Sequence, residues 1–238
     1  SETDPARLAQ LCVAALEDEL QFQGPDTVAA FIMEPILGAG GVIPPHESFM
    51  PMVRDVCSRH GVLLIADEVI TAFGRTGAWT GSKLFGVKPD MMCTAKAITN
   101  GYYPFGAVMI SERVVDVFEG NDNAFGEIGH GYTYSAHPVG AAAALAALAE
   151  MKRLNVAENA ALRGADLLAG CRALMEKHEL VGDVRGQGLM VALELVADRG
   201  QKSPADKMTM ARFFDAAYAA GLMVRVSANN IILSPPLI

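Results

Sequence analysis

Four apolar runs in this chain lack the polar alternation of a half-solvated strand: "TVAAFIME" (27–34), "VLLIADE" (62–68), "PDMMCTAK" (89–96) and "FGAVMIS" (105–111). Such strands are covered on both faces. Helical stretches separate them, which predicts an α/β fold with a mainly parallel sheet flanked by helices. The first helix is read over "DPARLAQLCVAALEDEL", with Asp4 as N-cap and Pro5 at its first position. A second runs over "ESFMPMVRDVCSRHG" and is closed by Gly61. Ligands of parallel sheets gather at the carboxyl ends of the strands, and those ends carry Glu34, Asp67 and Lys96.

Beyond these strands, an alanine-rich helix is expected from Pro138 and another around Glu158 to His178. "LVGDVRGQGLMVALELV", a helix from Pro204 to Ala220 and "LMVRVSANNIILSPPL" then read as a smaller α+β unit. The domain expectation is a large domain over 1–153 and a small C-terminal domain over 154–238.

Hydrophobic residues at 51% against 19% charged residues imply a substantial core rather than disorder. A net charge of −8, with no basic run to offset it, argues against nucleic acid as a partner. Cys12, Cys57, Cys93 and Cys171 are far apart, without a CxxC pair, and give neither a zinc site nor a disulfide framework. No apolar run is long enough for a membrane span, and "SETDPARLAQ" has no signal-peptide pattern. The expectation is a soluble, cytoplasmic protein with no metal.

The adjacent acids Asp67 and Glu68 would suit a nucleotide hydrolase if a GxxxxGK[ST] loop accompanied them. "GAWTGSK" has the wrong spacing, and "GAGGV" is not a dinucleotide fingerprint. Taken alone, the pair reads as solvated acids at a strand end. Lys96 changes the balance. It follows an apolar strand and precedes a turn built from Asn100, Gly101 and Pro104, whereas most of the other lysines fall on helix faces or polar loops. A lysine desolvated there would be a nucleophile toward a carbonyl. A surface lysine on a loop is the plainer alternative.

"EPILGAGGVIPP", "ADEVITAFGRTG", "PDMMCTAKAITNGYYPFGAV" and "GHGYTYSAHPVGAAAAL", in this order, resemble the class III pyridoxal-phosphate aminotransferases. The resemblance covers nearly the whole chain and implies the fold-type I architecture of the pyridoxal-phosphate-dependent transferases. It implies that Lys96 carries pyridoxal 5'-phosphate as a Schiff base and moves a proton between substrate and cofactor carbons. Asp67 would pair with the protonated pyridine nitrogen, keeping the ring an electron sink. Val69, taken as two residues on along an extended chain, would pack on one ring face. Thr133 matches a phosphate-binding threonine that arrives from a partner subunit, with Tyr132 lining the shared pocket. The resemblance therefore implies a homodimer or homotetramer.

Relatives acting on ornithine or γ-aminobutyrate commonly carry a glutamate in the glycine loop and an arginine beside the late proline. Here the loop has Ala39, and "IILSPPL" has no arginine. Arg225 instead matches the arginine of the amine or ω-amino acid:pyruvate branch, whose planar fork binds a carboxylate. An arginine bonding nearby carbonyls is the competing reading. A 2-oxoglutarate-dependent enzyme of the same class and a non-catalytic half-chain acting in assembly are the alternatives to an amine:pyruvate aminotransferase. The family's first half has no counterpart before Ser1, so the chain is expected to be the second half of a longer enzyme, both domains incomplete and the fragment alone inactive.

Overall fold

Asp4 accepts a hydrogen bond from Ala6 N at 3.1 Å and Pro5 takes the first helical position, so α1 (Pro5–Gln23) begins where its sequence directs. This computed structural model describes residues 3–120 and 129–238. The chain divides into two units. The first comprises Ser1–Pro35, Pro45–Phe73 and Thr80–Arg153; the second comprises Ile36–Pro44, Gly74–Trp79 and Leu154–Ile238.

In the first unit β1 (Ala30–Met33), β2 (Leu63–Asp67) and β3 (Met91–Thr94) pair in parallel, in that spatial order. β4 (Ala107–Ile110) joins β3 antiparallel. The sequence did not announce that reversal. Residues 95–106, which link β3 to β4, hold a 3-10 turn at Lys96–Ile98 and no crossover helix of the kind that usually joins parallel strands, and the chain returns antiparallel.

α2 (Phe49–Arg59) ends before Gly61, which sits at φ 70 and lets Val62 N bond back to Cys57 O at 2.9 Å. Val13 and Leu20 of α1, and Met50, Val53, Val56 and Cys57 of α2, form one core with Leu64 and Ala66 of β2. That face of β2 is fully buried, while Leu63, Ile65 and Asp67 on the other face are half-buried. α4 (Glu112–Glu119) was not anticipated from sequence. Its Val114, Val115 and Phe118 are half-buried at helical spacing, so the apolar period in "ERVVDVFE" was the available signal. α5 (Pro138–Arg153) completes the unit, and its Gly140 lies against the rings of Tyr103 and Phe105, where a Cβ would approach to 2.7 Å.

Two carboxylates hold this sheet. Asp90, 8% exposed, precedes β3 and accepts from Leu64 N of β2 at 2.8 Å, from Arg54 of α2 at 2.6 Å and from Arg113 of α4 at 3.3 Å. It thus ties strand to strand and both helices to the sheet. Glu68 is fully buried and points to the same side as Leu64 and Ala66. It accepts from Thr71 Oγ1 at 2.5 Å, Gly81 N at 2.7 Å and Ser82 N at 2.6 Å, and also from Ser82 Oγ. The short helix α3 (Gly81–Leu84) therefore starts on the Glu68 carboxylate, with Thr80 capping it through Lys83 N.

The second unit is an antiparallel sheet in the order β5 (Val181–Gln187), β6 (Met190–Asp198), β9 (Asn230–Leu233), β8 (Arg225–Ser227). β7 (Ser203–Pro204) pairs with β6, and this delays the start of α7 (Lys207–Ala219), which Asp206 caps through Thr209 N at 2.7 Å. α6 (Val156–Lys177) packs on the sheet with Cys171 among Val184, Val191, Leu193, Leu195 and Ile231. Gly164 of α6 meets the backbone of Gly188, whose own missing Cβ would strike the backbone of Arg75, Thr76 and Gly77. Arg75 closes this packing by donating to Leu189 O at 2.8 Å and Pro235 O at 2.7 Å. Burial without a carboxylate lowers its pKa.

Two predictions follow from the carboxylates. Burial raises the Asp90 carboxyl, but the bonds from Arg54 and Leu64 N and the charges of Arg54 and Arg113 outweigh it, leaving its pKa lowered. A depressed carboxyl stabilises the fold above its unfolded value of about 3.9 and loses that contribution as pH falls through the folded value. Asp90→Asn should therefore cost about 3 kcal/mol at neutral pH, with the gap from wild type closing below roughly pH 4 in denaturant titrations at stepped pH. Glu68→Ala strands four buried donors and should cost about 4 kcal/mol, read as a fall in Tm. Glu68→Gln should recover only part of the loss, because its NH2 faces donors.

Candidate active site

β2 and β3 run in parallel with Asp67 opposite Cys93, so both carboxyl ends open at the same sheet edge. Lys96 lies three residues beyond Cys93. With strands about 4.8 Å apart and about 3.3 Å per residue, the Cα atoms of Asp67 and Lys96 lie within about 11 Å. A lysine stem and a carboxylate can span that distance with one aromatic ring between them.

Each group is held by local structure. Asp67 is half-buried, and Oδ1 accepts from Val69 N at 3.1 Å. Among the described residues its carboxylate has no other hydrogen bond or ion pair. That bond turns the chain, so Val69 sits in a turn rather than on an extended continuation of β2, and it is half-buried there. The reason first given for Val69, the two-residue period of a strand, is thus replaced by a side-chain-closed turn. Asp67 also acts on its neighbour: burial first, then the Asp67 charge, raise the pKa of the Cys93 thiol.

Lys96 has φ 48, a left-handed conformation uncommon outside glycine. The turn after it is fixed by Ile98 N to Ala95 O at 3.2 Å, Asn100 N to Ala97 O at 3.0 Å and buried Thr99 Oγ1 to Tyr103 O at 2.6 Å. Such strain persists only where the surroundings over-determine it, and it clusters at functional sites. The desolvated lysine expected from sequence is not found: Lys96 is exposed and has no ion pair among the described residues. An uncommitted amine and a largely uncommitted carboxylate at one edge fit an aromatic cofactor carrying an aldehyde at one end and a ring nitrogen at the other.

Thr133 and Tyr132 lie in the exposed loop leading to α5. Ser135 N bonds to Tyr132 O at 2.9 Å, and the Tyr132 ring meets His130 edge-on at 4.5 Å. His137 stacks on Tyr103 at 5.2 Å, which ties this loop to the turn that carries Lys96. Arg225 opens β8 in the second unit, exposed and without a hydrogen bond or ion pair among the described residues. The competing reading, in which Arg225 bonds nearby carbonyls, finds no such bond among the described residues; Arg75 is an arginine that does so.

Sequence reasoning missed Glu68, which it treated as one of two equivalent acids. The strand period was the available signal, since 64, 66 and 68 share a face. It also missed His137 and its stack on Tyr103. Among the described residues there is no group of His, Cys, Asp or Glu that could hold a metal ion, and no helix long and apolar enough to cross a membrane.

Comparison with known proteins identifies the family. The family model for aminotransferase class-III matches residues 3–238. A diaminobutyrate–2-oxoglutarate transaminase of Halomonas elongata is 43% identical over 95% of this chain and 49% of its own length. A putrescine–pyruvate aminotransferase of Pseudomonas aeruginosa is 40% identical over 94% of this chain and 48% of its own. The chain thus spans about half the length of the curated relatives it matches. The crystal structure of an amine transaminase from an uncultivated Pseudomonas species, in its PLP-bound (internal aldimine) form, superposes with a TM-score of 0.94. It is 48% identical, over 98% of this chain and 53% of that one. An omega transaminase from Pseudomonas jessenii in complex with PMP gives a TM-score of 0.93 at 38% identity, over 100% of this chain and 53% of that one. The fold is therefore that of the fold-type I transaminases, and the chain belongs to the class III aminotransferases.

Proposed function

We propose that this protein transfers an amino group from an amine or ω-amino acid to pyruvate, using pyridoxal 5'-phosphate held between Lys96 and Asp67. The observation that carries the reading is the convergence of an unpaired amine and a half-buried carboxylate at the ends of adjacent parallel strands. When bound, the cofactor supplies an aldehyde that condenses with amines and a pyridine ring that accepts the electron pair left when a C–H proton departs. Lys96 Nζ would attach the cofactor and would serve as the base and acid at the substrate carbon. Asp67, oriented by its bond from Val69 N, would hold a proton on the ring nitrogen. Val69 would lie beside the ring. The Thr133 hydroxyl serves the phosphate of a neighbouring copy, and Tyr132 lines that shared pocket, so the working unit is a homodimer or homotetramer.

On this reading residues 1–153 form the cofactor-binding domain and 154–238 the small domain, with 36–44 and 74–79 grouping with the latter. Arg225, free of any partner among the described residues, is the site for the oxo acid carboxylate. The four free cysteines suit a reducing, cytoplasmic setting.

A second reading takes 2-oxoglutarate as acceptor, favoured by the identity to the diaminobutyrate–2-oxoglutarate transaminase. Ala39 and Arg225 favour pyruvate. Steady-state assays should give a higher kcat/KM for pyruvate than for 2-oxoglutarate, and the reverse preference would hand the assignment to the second reading. Pyridoxal 5'-phosphate added to the intact protein should produce a visible absorbance band that Lys96→Ala abolishes. A band that survives in the variant would take Lys96 out of its role. No band in the wild type would favour a non-catalytic assembly function.

A further inference from the structure

Loop 36–44 of the second unit is closed by an antiparallel bridge between Leu37 and Ile43, with Gly41 N and Val42 N both donating to Gly38 O. Val42 is fully buried at φ 53, a region that a β-branched residue enters only under constraint. The constraint comes from three strands. Arg185 of β5 donates through Nε to Gly41 O and to Val42 O, both at 3.0 Å. Its Nη1 bonds Asp183 at 2.8 Å and Glu194 at 2.6 Å, and its Nη2 bonds Asn230 Oδ1 at 2.5 Å.

Asn230, buried in β9, donates to Ser227 O at 3.2 Å, and Ser227 Oγ donates to Ala39 O at 3.0 Å. Gly41 sits at φ 120, where an L side chain is strained, and a Cβ there would crowd the Asn230 and Arg185 side chains at 3.0 and 3.1 Å. Ser227 and Arg225 are two residues apart on β8, so their side chains share a face about 7 Å apart, within reach of an arginine stem. The bonds from Arg185, Asn230 and Ser227 thus lead from the sheet to the loop tip beside the unpaired guanidinium.

We infer that Arg185, Asn230 and Ser227 are positioning residues that seat loop 36–44 against β8 and thereby shape the surface on which Arg225 receives a substrate carboxylate. This rests on the reading of Arg225 given above. The loop then discriminates between partners: a carboxylate-bearing oxo acid feels its placement, whereas an amine without a carboxylate does not.

The test measures KM and kcat of the intact holoenzyme for pyruvate and for a carboxylate-free amine, in Ser227→Ala, Ser227→Thr, Arg185→Lys and Arg225→Ala. Ser227→Ala should raise the pyruvate KM roughly fivefold, the effect of one lost hydrogen bond, with kcat and the amine KM unchanged. Ser227→Thr should restore it. Arg185→Lys keeps a charge for Glu194 but loses the planar fork, and should shift the pyruvate KM further in the same direction. If Ser227→Ala moves both substrates alike, or neither while Arg225→Ala raises the pyruvate KM, the positioning role is overturned. If Arg225→Ala leaves the pyruvate KM unchanged, the carboxylate reading of Arg225 itself fails and the inference falls with it.

Discussion

Parallel pairing of β2 with β3 is the contact on which the candidate site depends. Placing Asp67 opposite Cys93 brings a carboxylate and, three residues on, a primary amine to one edge, although 28 residues separate them in the chain. Register in a covered sheet is strongly specified, because a shift of one residue turns every side chain to the wrong face. Asp90 adds a second lock by binding the backbone of Leu64 at the start of β2 from the entry to β3. The lock is charged and largely dry, and it ties α2 and α4 to the strands whose ends carry the chemistry.

The two units use buried polar groups in different ways. In the first, Asp90 and Glu68 each gather backbone and side-chain donors around an acid. In the second, Arg75 and Arg185 each gather backbone carbonyls around a cation. Loops without regular ladders are made rigid in this way, since every buried polar atom needs a partner and a multivalent side chain can supply several at once.

Much of this was legible in the sequence. The apolar strands, the Asp4–Pro5 helix start and the Gly61 stop are local signals with local causes and stand where expected. Coverage on both faces does not hold throughout, since Ile32 of β1 and Val108, Met109 and Ile110 of β4 are exposed. Asp67 and Lys96 were visible because they end apolar runs and because four ordered motifs frame them. What could not be read was set by tertiary contact. The return of β4 is seen only in its pairing with β3, and Arg185 finds its acceptors some 140 residues earlier in the chain. Lys96 was expected to be desolvated, but burial belongs to the packed surroundings and not to the local string. Arg75 and Arg225 look alike as letters. Only their surroundings tell the guanidinium that holds carbonyls from the one left free.

The pleat of β2 separates two neighbouring acids into independent fates. Glu68 is committed to interior donors and tolerates almost no exchange, whereas Asp67 keeps most of its hydrogen-bonding capacity for whatever lies outside the sheet. Neighbouring positions therefore answer to unrelated physical demands. The chemistry at the edge can drift or be re-engineered one position away from a residue whose loss would unmake the scaffold.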